Sequence, residues 1–221
     1  IRMGQGLSQS PSNGTQPDVR ALAVFDDGSG PALYAGGKFT LADGQPANFL
    51  AKWDGSSWSE AARGTDKRVT GLAVFDDGGG LELFAAGELT RVGTRKDWTN
   101  QDLSIPANYV AKWNGVSWTD AGGGIVPTNV VNTPLRLSFL GPPGSQQLYL
   151  WEESGYQVWR RVAGAWEAVA VPPELYTLRS LAVHDDGGGS TLYLAAGGIG
   201  IRKLVGTNWV SVLADDYDPK S

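Results

Sequence analysis

The chain has 221 residues, a net charge of −5 and no cysteine, which excludes disulfides, thiolate catalysis and cysteine-based metal sites. Its 18 lysines and arginines form no basic run, which argues against nucleic acid as a partner, because such proteins cluster cations to neutralise phosphates. No apolar run reaches the roughly 18 to 20 residues that a membrane-spanning helix needs.

Two excesses point to architecture. The 31 glycines are about twice the typical share and predict many tight turns. The 9 tryptophans predict either a repeated packing device or a binding surface. The opening "IRMGQGLSQSPSNG" lacks the apolar stretch of a signal peptide. With no initiating methionine, it reads as the start of a processed chain or a fragment.

In chain order, "IRMGQGL" reads as an orphan strand of the kind that closes each later unit, although it lacks the tryptophan that opens the others. Then a repeat begins. "LAVFDDGSG" starts at Leu22, "LAVFDDGGG" at Leu72 and "LAVHDDGGG" at Leu181. A degenerate copy, "PLRLSFLGPPGSQQLYLWE", starts at Pro134 and loses the Asp-Asp-Gly turn. Leu22, Leu72, Leu137 and Leu181 are equivalent, at spacings of 50, 65 and 44 residues. Leu33, Leu83, Leu148 and Leu192 are likewise equivalent.

Each of these runs is followed by a second pair. "FLAKWDGSSWSEAARG" and "YVAKWNGVSWTDAGGG" serve the first two units, "YQVWRRVAGAWEAVAV" and "IRKLVGTNWVSVLA" the last two. Every unit therefore reads as four short strands, a to d. In the first unit they are predicted near Val19–Phe25, Ala32–Phe39, Phe49–Trp53 and Ser57–Ala62. The first strands alternate apolar with small or polar residues, as half-buried strands do. Asp-Gly and Asn-Gly steps supply hairpin turns. No sustained 3.6-residue period predicts a helix.

Four-stranded antiparallel units of about 40 to 50 residues are the blades of a β-propeller. The expectation is an all-β propeller or propeller fragment over residues 1–221. It has four complete blades, near 19–64, 69–124, 134–173 and 178–214, plus the N-terminal strand. An open β-sandwich also uses short strands, but it does not explain why a tryptophan returns in every unit. "ALAVFDDGSGPALYAGGKFT" followed by "AKWDGSSW" resembles the recently amplified bacterial β-propeller repeats of large secreted or cell-surface proteins. These are distantly similar to kelch-type and galactose-oxidase-type propellers. The resemblance implies the fold and an extracellular, periplasmic or cell-surface setting. It implies little about activity.

The recurring residues read mainly as packing. Trp58, Trp118, Trp166 and Trp209 open the fourth strands and are expected between adjacent units. Trp53 and Trp113 align with Val162 and Leu204, which also suits a core. Lys52, Lys112, Arg161 and Lys203 align on the third strands as cations whose stems lie on a neighbour, with a ring that reads an acidic ligand as the alternative. The Asp26-Asp27, Asp76-Asp77 and Asp185-Asp186 pairs supply too few oxygens for calcium and read as plain turns, so no metal and no cofactor is expected.

No catalytic residue is expected either. The single histidine, His184, stands where Phe25 and Phe75 stand in earlier units. Glu152 and Glu153 are adjacent on an extended segment and would point to opposite sides, the wrong geometry for a flanking carboxylate pair.

Long, varied loops on a rigid frame are where specificity usually sits. The longest insertion is "TRKDWTNQDLSIPAN" in the second unit. Arg95, Lys96, Asp97, Trp98, Asn100 and Asp102 on it form the expected contact surface. The function expected is a non-enzymatic interaction or scaffold module. Its partner is a protein, or a second copy through an open strand edge. A glycan-binding lectin and a carbohydrate-active enzyme are the alternatives.

Overall fold

The computed structural model describes residues 4–9, 16–94, 100–127, 134–141, 146–153, 157–175 and 177–212. Among them every regular element is a strand. In chain order the first unit contains β1 (Leu7–Ser8), β2 (Asp18–Asp26), β3 (Pro31–Lys38), β4 (Leu41–Ala42), β5 (Gln45–Pro46), β6 (Leu50–Trp53) and β7 (Trp58–Glu60). The second contains β8 (Val69–Asp76), β9 (Leu81–Gly87), β10 (Arg91–Val92), β11 (Ile105–Pro106), β12 (Val110–Trp113) and β13 (Trp118–Asp120). The third is β14 (Leu135–Leu140), β15 (Gln147–Glu152), β16 (Val158–Val162) and β17 (Ala165–Val169). The fourth is β18 (Thr177–Asp185), β19 (Ser190–Gly197), β20 (Gly200–Val205) and β21 (Asn208–Ser211).

Four antiparallel four-stranded sheets result, ordered β2-β3-β6-β7, β8-β9-β12-β13, β14-β15-β16-β17 and β18-β19-β20-β21. Each is a meander in which every strand pairs with the next strand of its own sheet, β4-β5 and β10-β11 being set aside in the loops. Register puts one apolar row across each of the first two sheets. Val24 pairs with Leu33, Leu33 with Trp53, and Trp53 with Trp58. The second sheet repeats it as Val74, Leu83, Trp113 and Trp118. In a sheet, directly opposed residues share a face. The adjoining row, Ala23-Tyr34-Lys52, lies on the other face.

The two faces of each sheet meet different neighbours. Phe25, Ala32, Tyr34 and Leu50 of the first sheet form one core with Leu72, Leu83, Ala85 and Trp118 of the second. Ala73, Phe84, Ala86 and Val110 of the second then pack with Leu135, Leu137, Leu148 and Leu150 of the third. Tyr149, Trp151 and Val158 of the third pack with Leu181, Leu192 and Leu194 of the fourth. The stacking thus has one direction: the Tyr34-type face of one sheet always covers the Leu83-type face of the next. The side chain of Thr70 ties the second sheet to the third, donating to the Leu135 carbonyl and accepting from the Leu135 amide, both at 2.9 Å.

Glycine in the second strands has a steric cause. Strands β2 and β8 each carry a bulge, between Val19 and Ala21 and between Val69 and Gly71. Opposite these bulges a Cβ on Gly37 would lie 2.0 Å from the Asp18 carbonyl oxygen, and one on Gly87 2.3 Å from that of Arg68. No side chain fits there, hence "YAGG" and "FAAG".

The N-terminal segment is not an orphan. Leu7–Ser8 pairs with Leu41–Ala42 of the loop hairpin β4-β5. Its backbone repeats a pattern found one unit later. Asp43 N donates to Gly6 O at 3.0 Å, as Gly93 N donates to Gly64 O at 2.9 Å. Residues 6–8 therefore take the place of residues 64–66, in the register expected from the sequence. Arg2 and Met3 lie outside the described residues.

Trp118 is 4% exposed, and its Nε1 donates to the Ala62 carbonyl of the preceding unit at 2.6 Å. Trp209 does the same with Ala170 at 2.7 Å. The repeating tryptophan thus packs between units and also ties them by a hydrogen bond. Trp118→Ala is expected to destabilise the fold by about 3 to 5 kcal/mol, the usual range for a buried large aromatic. Urea unfolding of the two proteins checks this, and an unchanged midpoint would contradict it.

Candidate functional site

The acidic turns are internally satisfied. The first aspartate of each caps its own loop. Asp26 Oδ1 accepts from Gly28 N and Gly30 N, Asp76 Oδ1 from Gly78 N and Gly80 N, and Asp185 Oδ1 from Gly187 N and Gly189 N, all at 2.8–2.9 Å. The two glycines of each loop sit at φ between 95° and 108°, which only glycine adopts at no cost. This accounts for the Asp-Asp-Gly-x-Gly spelling.

The second aspartate faces the third strand. Lys52 Nζ donates to Asp27 at 2.7 Å, Tyr34 Oη donates to the same carboxylate at 2.7 Å, and Lys52 also reaches Ser29 Oγ at 2.6 Å. The fourth unit repeats this with Lys203, Asp186 and Tyr193. In the second unit Lys112 bridges Asp77 and Glu82. These lysines are therefore engaged by their own turns rather than displayed as a ring for an acidic ligand. Burial alone would raise the Asp27 carboxyl. Hydrogen bonds from Lys52, Ser29 and Tyr34 outweigh it and hold the group well below the usual carboxylate range. Burial and the same carboxylate push the Tyr34 phenol up.

Register corrects the alignment of the third unit by one residue. Arg160, not Arg161, pairs with Tyr149, as Lys52 pairs with Tyr34. Arg161 pairs with Trp166, as Trp113 pairs with Trp118. It therefore stands at the Trp53 and Trp113 position, and Val162 lies one residue beyond. Its guanidinium lies 5.4 Å from the Trp166 ring, where Trp113 and Trp118 have ring centroids 5.6 Å apart. Arg161 is buried, ion-paired with Asp77 of the second unit at 2.8 Å, and donates to the Ala121 carbonyl. A planar cation thus replaces an aromatic ring between two units.

Arg160 is the strand cation whose turn carboxylate is missing, because the sequence has Pro142 at the Asp27 position. It pairs instead with Glu167 at 3.2 Å. It lines a cavity of about 220 Å³ between the third and fourth sheets with Tyr149, Gln147 and Thr191.

Of the expected contact loop, Arg95, Lys96, Asp97 and Trp98 lie outside the described residues. Asn100 is exposed, with a left-handed φ of 69°. Asp102 has a local task. It is ion-paired with Arg91 at 3.0 Å and accepts from the amide and hydroxyl of Ser104. It thereby pins the returning half of the insertion to β10. From there β10 and β11 pair, and β11 lies against β13.

This path creates an apolar patch that the sequence pattern did not single out. Leu103 is 48% exposed, Ile105 37% and Val116 84%. With Trp113, Trp118 and Arg63 they line a cavity of about 160 Å³. The insertion thus meets the Asn114–Ser117 turn, which belongs to the opposite end of its sheet. The sequence carried one signal for this, the apolar "LSIP" inside an otherwise polar loop.

The remaining candidates have structural places. His184 is exposed, with its ring 6.0 Å from that of Tyr193. Glu152 is fully buried, whereas Glu153 pairs with Arg136 at 2.7 Å. Among the described residues no group of three or more metal-ligating side chains is placed to share an ion. A comparison with protein-family models and a search of curated proteins both find no match.

Two outcomes follow. The Asp27 carboxyl is lower in the folded state than its unfolded value of about 3.9. Its contribution is therefore present above that pH and is lost as pH falls toward the folded value. The stability gap between wild type and Asp27→Asn, from urea titrations, is expected to be widest near neutral pH and to shrink near pH 3. A gap independent of pH would contradict the assignment. Thermal midpoints with excess calcium and with chelator are expected to agree, since the turn carboxylates already hold backbone amides and lysines. A large rise with calcium would show binding by linkage.

Proposed function

We propose that the four sheets are blades of a β-propeller and that the chain is a non-enzymatic interaction module of a cell-surface or multi-subunit assembly. One-directional stacking of the sheets supports the propeller reading. So does the approach of Arg136 on β14 to the Arg20 carbonyl on β2 at 3.4 Å, which draws first strands of non-adjacent sheets together. The cell-surface setting follows from the repeat resemblance.

The observation that carries the interaction reading is the patch formed by Leu103, Ile105 and Val116. Exposed aliphatic side chains gathered around a shallow cavity favour contact with a protein. Leu103 and Ile105 are held beside β10 by the Arg91–Asp102 pair and the β10–β11 ladder, and Val116 stands on the turn between β12 and β13. Trp98 and the charged residues beside it belong to the same insertion in sequence and lie outside the described residues.

A double variant, Leu103→Asp with Val116→Asp, tests this. Both residues are exposed, so the circular dichroism spectrum is expected to be unchanged. Immobilised wild-type chain is expected to retain specific proteins from a cell-envelope extract, identified by mass spectrometry, and the variant to lose them. Equal retention by both would overturn the patch as the contact surface. Binding on a glycan array by both proteins would favour the lectin reading.

A further inference from the structure

The internal junctions leave two faces over. In the second, third and fourth sheets the Leu72 or Leu83 type of face is covered: Leu72 is 7% exposed, Leu137 9% and Leu181 6%. In the first sheet the same positions are open, with Leu22 59% and Val24 65% exposed. The adjacent turn agrees. A Cβ on Gly115 in the second unit would lie 2.7 Å from the Asp27 carbonyl oxygen of the first, whereas one on the equivalent Gly55 meets nothing within 4 Å. At the other end, the face of the fourth sheet that carries Ala182, His184 and Tyr193 is also unpartnered among the described residues. Ala182 and His184 are exposed, as are Ile201 and Val210 on the strands beyond. In the first sheet the equivalent Phe25 and Tyr34 are 3% and 1% exposed, because they cover the second sheet.

Among the described residues the two exposed faces thus carry the residues of the two halves of one junction. We propose that the first-sheet face of Leu22, Val24, Leu33 and Trp53 docks the fourth sheet of a second copy of this chain, through the face of Ala182, His184 and Tyr193. The occupant is argued from continuity with the fold. Ala182 and Tyr193 reproduce the Ala23 and Tyr34 pair that covers Leu72 and Leu83 inside the chain. The Asp186 turn, held by Lys203 and Tyr193 as the Asp27 turn is by Lys52 and Tyr34, would then sit beside Gly55 as Asp27 sits beside Gly115. The contact is sheet face on sheet face, not strand edge on strand edge. It is heterologous, so two copies either close a ring through two identical junctions or continue as an open stack. The proposal deepens the interaction-module reading but uses a surface separate from the Leu103, Ile105 and Val116 patch.

Complementing variants test it on the 221-residue chain. Leu22→Glu with Val24→Glu blocks one face, and Ala182→Arg blocks the other. All three residues are exposed, and circular dichroism reports that each variant is folded. By light scattering, wild type is expected at twice the chain mass or a larger multiple. Each variant alone is expected at the mass of one chain. An equimolar mixture is expected to regain twice that mass, because one intact face of each kind remains. A monomeric wild type overturns the proposal, as does association that persists in either variant or a mixture that stays monomeric. The Leu103→Asp and Val116→Asp variant is expected to associate like wild type. Failure here therefore leaves the patch reading untouched, and failure there leaves this one untouched.

Discussion

A four-stranded meander of short strands cannot bury both of its faces by itself. Everything else in this molecule follows from that constraint. The solution is to lay the Tyr34-type face of each sheet over the Leu83-type face of the next, three times in succession. The repeat encodes both halves of the contact in every unit. Small residues in the second strand let the sheets approach, as where a Cβ on Gly36 would meet the Val69 side chain at 2.6 Å. The tryptophan of the fourth strand then reaches back to a carbonyl of the preceding unit. Apolar burial of this kind supplies most of the driving force, while the hydrogen bonds and bulges fix the register.

Polar groups serve the same end. The Asp-Asp-Gly turns look like ligand loops in sequence, yet each divides its carboxylates between its own amides and a strand lysine. Arg161 shows how far a unit departs from the repeat without losing its place. It replaces a tryptophan, keeps the stacking on Trp166 and gains a carboxylate partner in the neighbouring unit. Among the described residues Trp166 Nε1 has no hydrogen-bond partner, whereas Arg161 donates to the Ala121 carbonyl close by. The third unit has exchanged one inter-unit tie for another.

Much of the first-strand and second-strand pattern was legible in the sequence. Predicted Val19–Phe25 and Ala32–Phe39 correspond to Asp18–Asp26 and Pro31–Lys38, because alternation and Gly-rich turns are local signals. Three things were not legible. The Lys52–Asp27 pair joins residues 25 apart, and only the sheet register brings them together. The third unit was misaligned by one residue, because it lacks the Trp-Trp pair that anchors the others. The exposure of Leu22 could not be told from the burial of Leu72, since their local sequences are nearly identical and only the neighbouring sheet differs. The exposed apolar patch was legible in part. The insertion announced itself by length, but Val116 joins it from a turn at the other end of the sheet.

The central claim is the one-directional stacking of sheet on sheet. The most direct measurement is a nuclear Overhauser spectrum of the methyl-labelled chain. The account predicts strong cross-peaks between the Val69 methyl groups and the Gly36 α-protons, across the first and second sheets. It predicts none from the Leu22 methyl groups to the second sheet. Absence of the Val69–Gly36 cross-peaks, or their replacement by contacts from Leu22, would contradict it.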